Sequence, residues 1–203
     1  ARPVGAVNTL RWTERGWHGF NTDGYGLAAA VRETLGLDLT GAPIVLLGAG
    51  GAARGAAVEC LQRRCASLWV ANRTRETLDT LLAIIGPIAA DVPFHGFSSS
   101  TPPTDLPAGA IVINATSAGL RPEDPVPIDL AALPRPIAVF DMIYNPPQTG
   151  LLRAAADRGL PHANGLAMLV HQGAKSLEHW SGIPAGQTAP TMAAAARAAR
   201  GLP

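Results

Sequence analysis

Ten residues, Ile44-Val45-Leu46-Leu47-Gly48-Ala49-Gly50-Gly51-Ala52-Ala53, carry an apolar run into a GxGxxA turn. The order fits a strand that ends in a phosphate-binding turn and opens a helix. Gly48 permits the tight turn, Gly50 lets the backbone approach a pyrophosphate, and Ala53 lets the helix lie close to its strand. The helix N-terminus adds N–H groups and the positive end of a dipole. Small residues are common in this chain, so plain packing is the competing account of the motif alone. After the next apolar run comes Asn72-Arg73-Thr74-Arg75, where a carboxylate on the ribose hydroxyls would select NAD. None is present. The Arg73 guanidinium, helped by Thr74 and Arg75, would instead pair with a ribose 2′-phosphate, which selects NADP. The plainer alternative is that Thr74 caps the next helix and the arginines are solvated. Two further loops add polar groups. Asn114-Ala115-Thr116-Ser117-Ala118-Gly119 either lets a nicotinamide ribose lie on its backbone or simply turns the chain. Asp141-Met142-Ile143-Tyr144-Asn145-Pro146-Pro147 carries a phenol, whose default role is structural.

Those residues meet only if the strands between them run parallel, and the chain alternates accordingly. Two apolar–polar runs, Val4 to Trp12 and Trp17 to Phe20, predict a β-hairpin about Thr13-Glu14-Arg15-Gly16. A helix follows, capped by Thr22 or Asp23 and stopping near Gly36. Then come strand 43–47, helix 51–64, strand 67–71, helix 75–85, a short strand near 93–97, and strands 110–113 and 137–141. A helix over Leu151 to Arg158, a short strand around Pro161 to Ala163, and helices 165–180 and 189–200 complete the chain. Ser98 to Pro107 and the Pro-rich Leu120 to Pro136 read as loops. The pattern predicts an α/β fold, a Rossmann-like doubly wound parallel sheet whose polar loops share the edge at the strand C-termini.

With 203 residues, 47% hydrophobic content, 15% charged residues and a net charge of +1, the chain can bury a core and offers no basic face for nucleic acid or anionic membrane. Small molecules fit better as partners. No apolar run reaches the roughly 20 residues that span a bilayer, and the N-terminus has no signal-peptide order. The expectation is a soluble, cytoplasmic protein. Cys60 and Cys65 match no zinc or redox spacing and read as buried free thiols. The five histidines form no metal or triad pattern, so no metal is expected.

Seven runs in order, GAVNT (5–9), NTDG (21–24), LGAGGAARG (47–55), ANRT (71–74), INATSAG (113–119), FDMIYNPPQT (140–149) and GLAMLVHQGAKSLEHWSG (165–182), resemble shikimate dehydrogenase over nearly the whole chain. The resemblance implies reversible reduction of 3-dehydroshikimate to shikimate with NADPH, on the route to chorismate and the aromatic amino acids. It implies that Asn8, Asp23, Tyr144 and Gln172 bind substrate, with Asp23 also in the catalytic pair. It places Gly48, Ala49, Gly50, Gly51, Ala52, Asn72, Arg73, Thr74 and Thr116 on the cofactor, and Gly165 and Met168 against its nicotinamide. Hydride delivery to a ketone needs a proton for the developing alkoxide, and Asp23 is a candidate member of that acid–base system. Helix capping is its ordinary role. Met168, Gln172 and Lys175 share one face of their helix by spacing.

The resemblance also implies a catalytic lysine upstream of GAVNT, in a substrate domain with a serine motif, and neither is in this sequence. The expected division is a hairpin remnant of that domain at 1–23, an NADP-binding Rossmann-like domain at 24–164, and helices at 165–203 that pack back on the substrate domain. Trp12, Trp17 and Leu177 are expected to be exposed, inviting a homodimer. The sequence is then either a fragment of a longer enzyme or a shortened relative that binds NADP with little turnover. Lys175, the one lysine, could replace the absent one, although a solvated lysine is the plainer reading. Two alternatives stand beside the main one. A quinate/shikimate dehydrogenase shares the motifs but often prefers NAD, against which Arg73 argues; a non-catalytic NADP-binding module leaves Asn8, Asp23, Tyr144 and Gln172 unexplained.

Overall fold

A computed structural model describes residues 4–199. Strands β1 (Thr9–Thr13) and β2 (Gly16–Phe20) pair antiparallel, with Thr9 opposite Phe20 and Thr13 opposite Gly16. The first strand does not begin at Val4. Gly5 turns the chain at φ +65, the Val4 side chain is buried, and Arg54 Nη1 donates to the Val4 carbonyl at 3.4 Å. Helix α1 (Asp23–Leu35) ends as expected at Gly36, whose left-handed backbone lets its N–H reach the Arg32 carbonyl.

Six parallel strands form the main sheet: β3 (Pro43–Leu47), β4 (Ser67–Asn72), β5 (Phe94–Ser98), β6 (Ile111–Asn114), β7 (Ala138–Asp141) and β8 (His162–Asn164). Their order, β5-β4-β3-β6-β7-β8, reverses direction between β3 and β6, which makes that gap the switch point where open α/β sheets bind ligands. Both faces of the sheet are dry, so its central strands are continuous apolar runs rather than alternating ones. Ile44, Leu46, Leu68, Val70, Ile111 and Ile113 face α1, α2 (Gly51–Gln62) and α3 (Arg75–Ala89). Val45, Leu47, Val112 and Val139 face α4 (Gly150–Asp157) and the loop before β7.

Two departures from the sequence expectation have packing causes. Helix α3 passes through Gly86-Pro87 to Ala89, because Leu78, Leu81, Ile85 and Ala89 form one buried stripe that outweighs the hydrogen bond a proline removes. The Pro-rich stretch 120–136 contains a short 3₁₀ turn, Leu130–Ala132, where Asp129 Oδ1 accepts from Ala131 N at 2.8 Å. Its Leu130, with Ile128 and Leu133, is buried against the sheet. Cys60 and Cys65 are buried free thiols, as expected; burial raises Cys60 and pushes Cys65 up to about 11, which keeps both in the inert thiol form.

Helices α5 (Leu166–Ser181) and α6 (Ala185–Ala199) complete the fold, α6 starting one turn earlier than expected. Helix α5 lies along α1, while Val170, Ala174, Ala185 and Ala189 make a small core with Tyr25 and Met192. The hairpin is held to the end of α5. Phe20 stacks on His179 with centroids 3.9 Å apart, Arg11 Nη1 donates to the His179 carbonyl at 3.1 Å, and Trp180 Nε1 donates to the Leu10 carbonyl at 2.8 Å. Trp12 and Trp17 touch edge to face and are 64% and 66% exposed, as expected. Leu177 is half-buried instead, and Trp180 is the large apolar residue exposed at that helix end.

Burial lowers the His179 pKa, Lys175 and Arg11 add to the lowering, and Glu178 opposes it. The folded chain therefore binds this proton less readily than the unfolded chain. The contribution to stability is complete above the ordinary value of 6.5 and is lost as pH falls through the lowered folded value. His179→Phe keeps the stack on Phe20 and removes the titration. Urea melts between pH 7.5 and roughly pH 5 should show a shallower acid loss of stability for this variant than for wild type; parallel curves would rule the ring out as a contributor.

Candidate active site

The switch point holds a cleft of about 510 Å³. Gly48 leaves β3 at φ +107, where a Cβ would also crowd the Ala115 carbonyl and Thr116. Gly50 differs. Its φ is −81 and a Cβ there would meet nothing within 4 Å, so neither backbone nor packing asks for glycine. Close approach of a ligand to the backbone would. Helix α2 opens just beyond, with Gly50 as its N-cap and no side-chain hydrogen bond on its first turn. Its leading N–H groups are left for an anion.

The cleft brings together Gly48, Ala49, Gly50, Asn72, Arg73, Thr74 and Thr116, all expected on the cofactor. Gly51 and Ala52 lie beside it, exposed in the first turn of α2. Arg73 is exposed at the end of β4 and makes no ion pair or hydrogen bond among the described residues. Arg75, by contrast, is bound within α3 to Asp79 at 2.9 Å, so the second guanidinium is already engaged. Thr74 occupies the N-cap position of α3 without a side-chain cap bond, and Asn72 Nδ2 donates to its carbonyl at 2.8 Å. The capping alternative for Thr74 is therefore not what the turn does.

A second polar group forms where the hairpin, α1 and α5 meet. Asn8 Nδ2 donates to Asp23 Oδ1 at 2.9 Å and approaches Gln172 Oε1 at 3.5 Å. The Asn8 amide is oriented unambiguously, since Oδ1 accepts the Thr22 backbone N–H at 3.1 Å and a carbonyl oxygen alone can do so. Three buried hydroxyls lie beneath this group. Thr9 and Ser176 are 2.6 Å apart, Thr22 and Ser176 3.1 Å, and Thr22 donates to Gln172 Oε1 at 3.3 Å. The Thr22 hydroxyl is spent here and does not cap α1; Asp23 is the first helical residue rather than the cap. Sequence reasoning missed Thr9 and Ser176. The signal was Ser176 one turn beyond Gln172, on a face already marked as polar.

Two contacts place the pair of sites relative to each other. Asp23 Cβ lies 3.9 Å from the Cβ position of Gly55, four residues into α2 and so about 6 Å along the helix from its N-terminus. At the other end, Gly165 sits against Met142 so closely that a Cβ would fall inside the Met142 carbonyl, and its N–H donates to the Ile143 carbonyl at 3.1 Å. This approach alone demands glycine. Helix α5 thus starts at the sheet edge, and Gln172 lies about 10 Å along it. Met168 and Gln172 both rest on Gly26 of α1. Tyr144 is exposed in the loop after β7. Lys175 is not a solvated lysine: it pairs with Glu178 at 2.5 Å and lies 5.1 Å from the Tyr25 ring centroid. A larger groove of about 800 Å³ beside α6 holds none of the candidate residues.

Fold and sites define a doubly wound α/β protein with a cleft at its switch point and an amide–carboxylate pocket beside the helix that opens after Gly50. Residues 165–197 match the shikimate 5'-dehydrogenase C-terminal domain family, and the shikimate dehydrogenase (NADP(+)) of Anaeromyxobacter sp. is 43% identical over 211 residues, covering 98% of this chain and 70% of the relative. The chain belongs to the shikimate dehydrogenase family. Shikimate 5-dehydrogenase from Thermus thermophilus, solved with NADP(H) and shikimate, superposes at TM-score 0.76 with 32% identity over 96% of this chain and 70% of that one. The ligand-free 5-ketofructose reductase of a Gluconobacter strain superposes at 0.77 with 36% identity, over 95% and 69%. Several curated relatives are longer, and the chain spans 64% of their length.

Gly26 makes the pocket possible, because a Cβ there would lie 2.8 Å from both the Gln172 Cβ and the Met168 carbonyl. Gly26→Ala must push α5 off α1. The expected cost is about 1–3 kcal/mol of unfolding free energy in urea titrations; a variant as stable as wild type would show that the helices part without penalty.

Proposed function

We propose that the protein is an NADP-dependent oxidoreductase acting on a CH–OH group, a shikimate dehydrogenase that interconverts 3-dehydroshikimate and shikimate. One observation carries this reading: a carboxylate and an amide converge beside the helix that starts at the phosphate-binding turn. Among the described residues, Asp23 uses only Oδ1 and Gln172 only Oε1. Asp23 Oδ2 is left to accept from a hydroxyl, and the Gln172 Nε2 hydrogens to donate to one. A polyhydroxylated ring needs such a pair. The residues present fit NADP: Gly48, Ala49, Gly50, Gly51 and Ala52 would hold the pyrophosphate, and Asn72, Arg73 and Thr74 the phosphorylated ribose. Thr116 would border the cofactor further along the cleft, while Gly165 and Met168 would lie against the nicotinamide. When bound, NADPH supplies the hydride.

The remaining work falls to this chain. Asn8, Asp23 and Gln172 bind and orient the substrate hydroxyls, and Tyr144 closes on the substrate from the loop after β7. Asp23 belongs to the group that exchanges the proton with the alcohol oxygen, its Oδ1 held by Asn8. Among the described residues, those up to Asp23 and helices α5 and α6 form the substrate side, and 24–164 the cofactor side. A second reading, reduction of a different polyol ketone, is favoured by the likeness to 5-ketofructose reductase. Quinate is the third ligand to compare, since Arg73 argues for NADP while quinate enzymes often prefer NAD.

Calorimetric titration of the chain with NADP+, NAD+, shikimate, quinate and 5-ketofructose separates these. NADP+ and shikimate should bind best. Arg73→Ala should weaken NADP+ by roughly ten- to a hundredfold, the size of a lost charge-assisted phosphate contact, and leave NAD+ unchanged. Gln172→Ala should weaken shikimate about tenfold and leave NADP+ unchanged. Equal loss of both nucleotides in Arg73→Ala would refute the 2′-phosphate assignment, and preference for 5-ketofructose would replace the substrate.

A further inference from the structure

The loop after β6 lines the cofactor cleft and the loop after β7 leads to the start of α5, and one point beneath both holds them. Asp141, fully buried at the end of β7, is that point. Its Oδ1 accepts from Asn114 Nδ2 at 2.9 Å and from the Ile143 backbone N–H at 3.0 Å, and its Oδ2 accepts from the Thr149 hydroxyl at 2.6 Å. Asn114, equally buried at the end of β6, passes the constraint on. Its Oδ1 accepts the Thr116 backbone N–H at 3.0 Å and the Thr116 hydroxyl at 2.7 Å. Thr116 in turn borders the cleft against Gly48.

We propose that Asp141 is a positioning residue for the cofactor: through Asn114 it fixes Thr116 at the cleft wall, and through Ile143 and Thr149 it fixes the loop that carries Met142 and Tyr144. The inference rests on the dinucleotide reading of that cleft. Proton bookkeeping supports it. The Thr116 hydrogen is committed to Asn114, and its oxygen accepts from Ala118 N at 3.1 Å, so toward a ligand Thr116 is an acceptor only. Without Asn114 the hydroxyl would lose its acceptor and the loop three bonds, two at Thr116 and one at the Ala118 carbonyl. On the other side, Ile143 receives Gly165 N–H on its carbonyl while giving its own N–H to Asp141. One carboxylate therefore sets Thr116, which borders the Gly48 turn, relative to the start of α5. A carboxylate with only donors and no cation in contact among the described residues has this as its use; burial raises its pKa while the three hydrogen bonds lower it.

The test is NADP+ affinity, measured by titration well below each variant's unfolding midpoint. Asp141→Asn keeps an oxygen for Asn114 and Ile143, so its affinity should stay within about threefold of wild type although Thr149 loses its acceptor. Asp141→Ala should bind NADP+ at least tenfold more weakly. Asn114→Leu, which severs the link to Thr116 and leaves Asp141 in place, should lose a similar factor and decides the matter if Asp141→Ala does not fold. A purely structural role would lower the unfolding midpoints of these variants while leaving NADP+ affinity unchanged, and that result would overturn the proposal. So would an Asp141→Asn variant as weak as Asn114→Leu. If the wild-type chain binds no NADP+, the dinucleotide reading itself fails and this inference falls with it; normal binding by all variants sinks the inference alone.

Discussion

The closeness of α1 to its two neighbouring helices is the constraint on which the site depends. Helix α1 opens Asp23-Gly24-Tyr25-Gly26, and each glycine costs a helix interior about 1 kcal/mol relative to alanine. Both are where another element comes in. A Cβ at Gly24 would meet Glu59 of α2 at 2.5 Å, and one at Gly26 would meet Gln172 and Met168 of α5. A Cβ at Gly55 of α2 would stand in ordinary contact with Asp23, at 3.9 Å. Helix propensity is given up at two positions of α1 to bring a carboxylate, an amide and the start of α2 within one another's reach. Dispersion between close-packed backbones and the burial of Leu27, Ala30 and Val31 offset the loss.

The sheet solves a complementary problem. Parallel strands with dry faces put every loop of one sense on one edge, and the order reversal between β3 and β6 opens a gap there. Gly48 and Thr116 flank that gap from adjacent strands, in register at Leu47 and Asn114. The amide–carboxylate group comes from elements outside the sheet: Asn8 from just before the hairpin, Asp23 from α1 and Gln172 from α5. The hairpin is anchored through β2 and the end of α5, so the position of Asn8 depends on Phe20, Arg11 and Trp180 as much as on its own hydrogen bonds.

Much of this was legible in the sequence because local chemistry and global fold agree. The strand before Gly48, the turn itself, and the missing acid at Arg73 are visible as residue types at fixed spacing. So was the alternation of strands and helices. What escaped was decided by tertiary competition for a single group. Thr22 looks like a cap, yet its hydroxyl is drawn to Asn8, Gln172 and Ser176, which no spacing along α1 could show. Arg75 looks like a phosphate ligand, but Asp79 sits one turn away and takes it. Pro87 looks like a helix end, but Ile85 and Ala89 hold the last turn on the sheet. Lys175 looks solvated until Tyr25 of α1, far away in sequence, lies under it.

The glycines show how structure separates two meanings that a sequence merges. Gly48, Gly50 and Gly165 all fall in runs that resemblance assigns to the cofactor, but the chain needs them for different reasons. Gly48 is required by its own backbone, at φ +107, and by the loop after β6. Gly165 is required by the Met142 carbonyl, with no ligand present. Gly50 is required by neither. A residue whose side chain would be comfortable in the folded protein, kept as glycine at the mouth of a cleft and at the start of a helix with no side-chain cap, is best accounted for by something outside the chain. Gly50 and Arg73 border the cleft with no use inside the folded chain, and a bound cofactor would give both one.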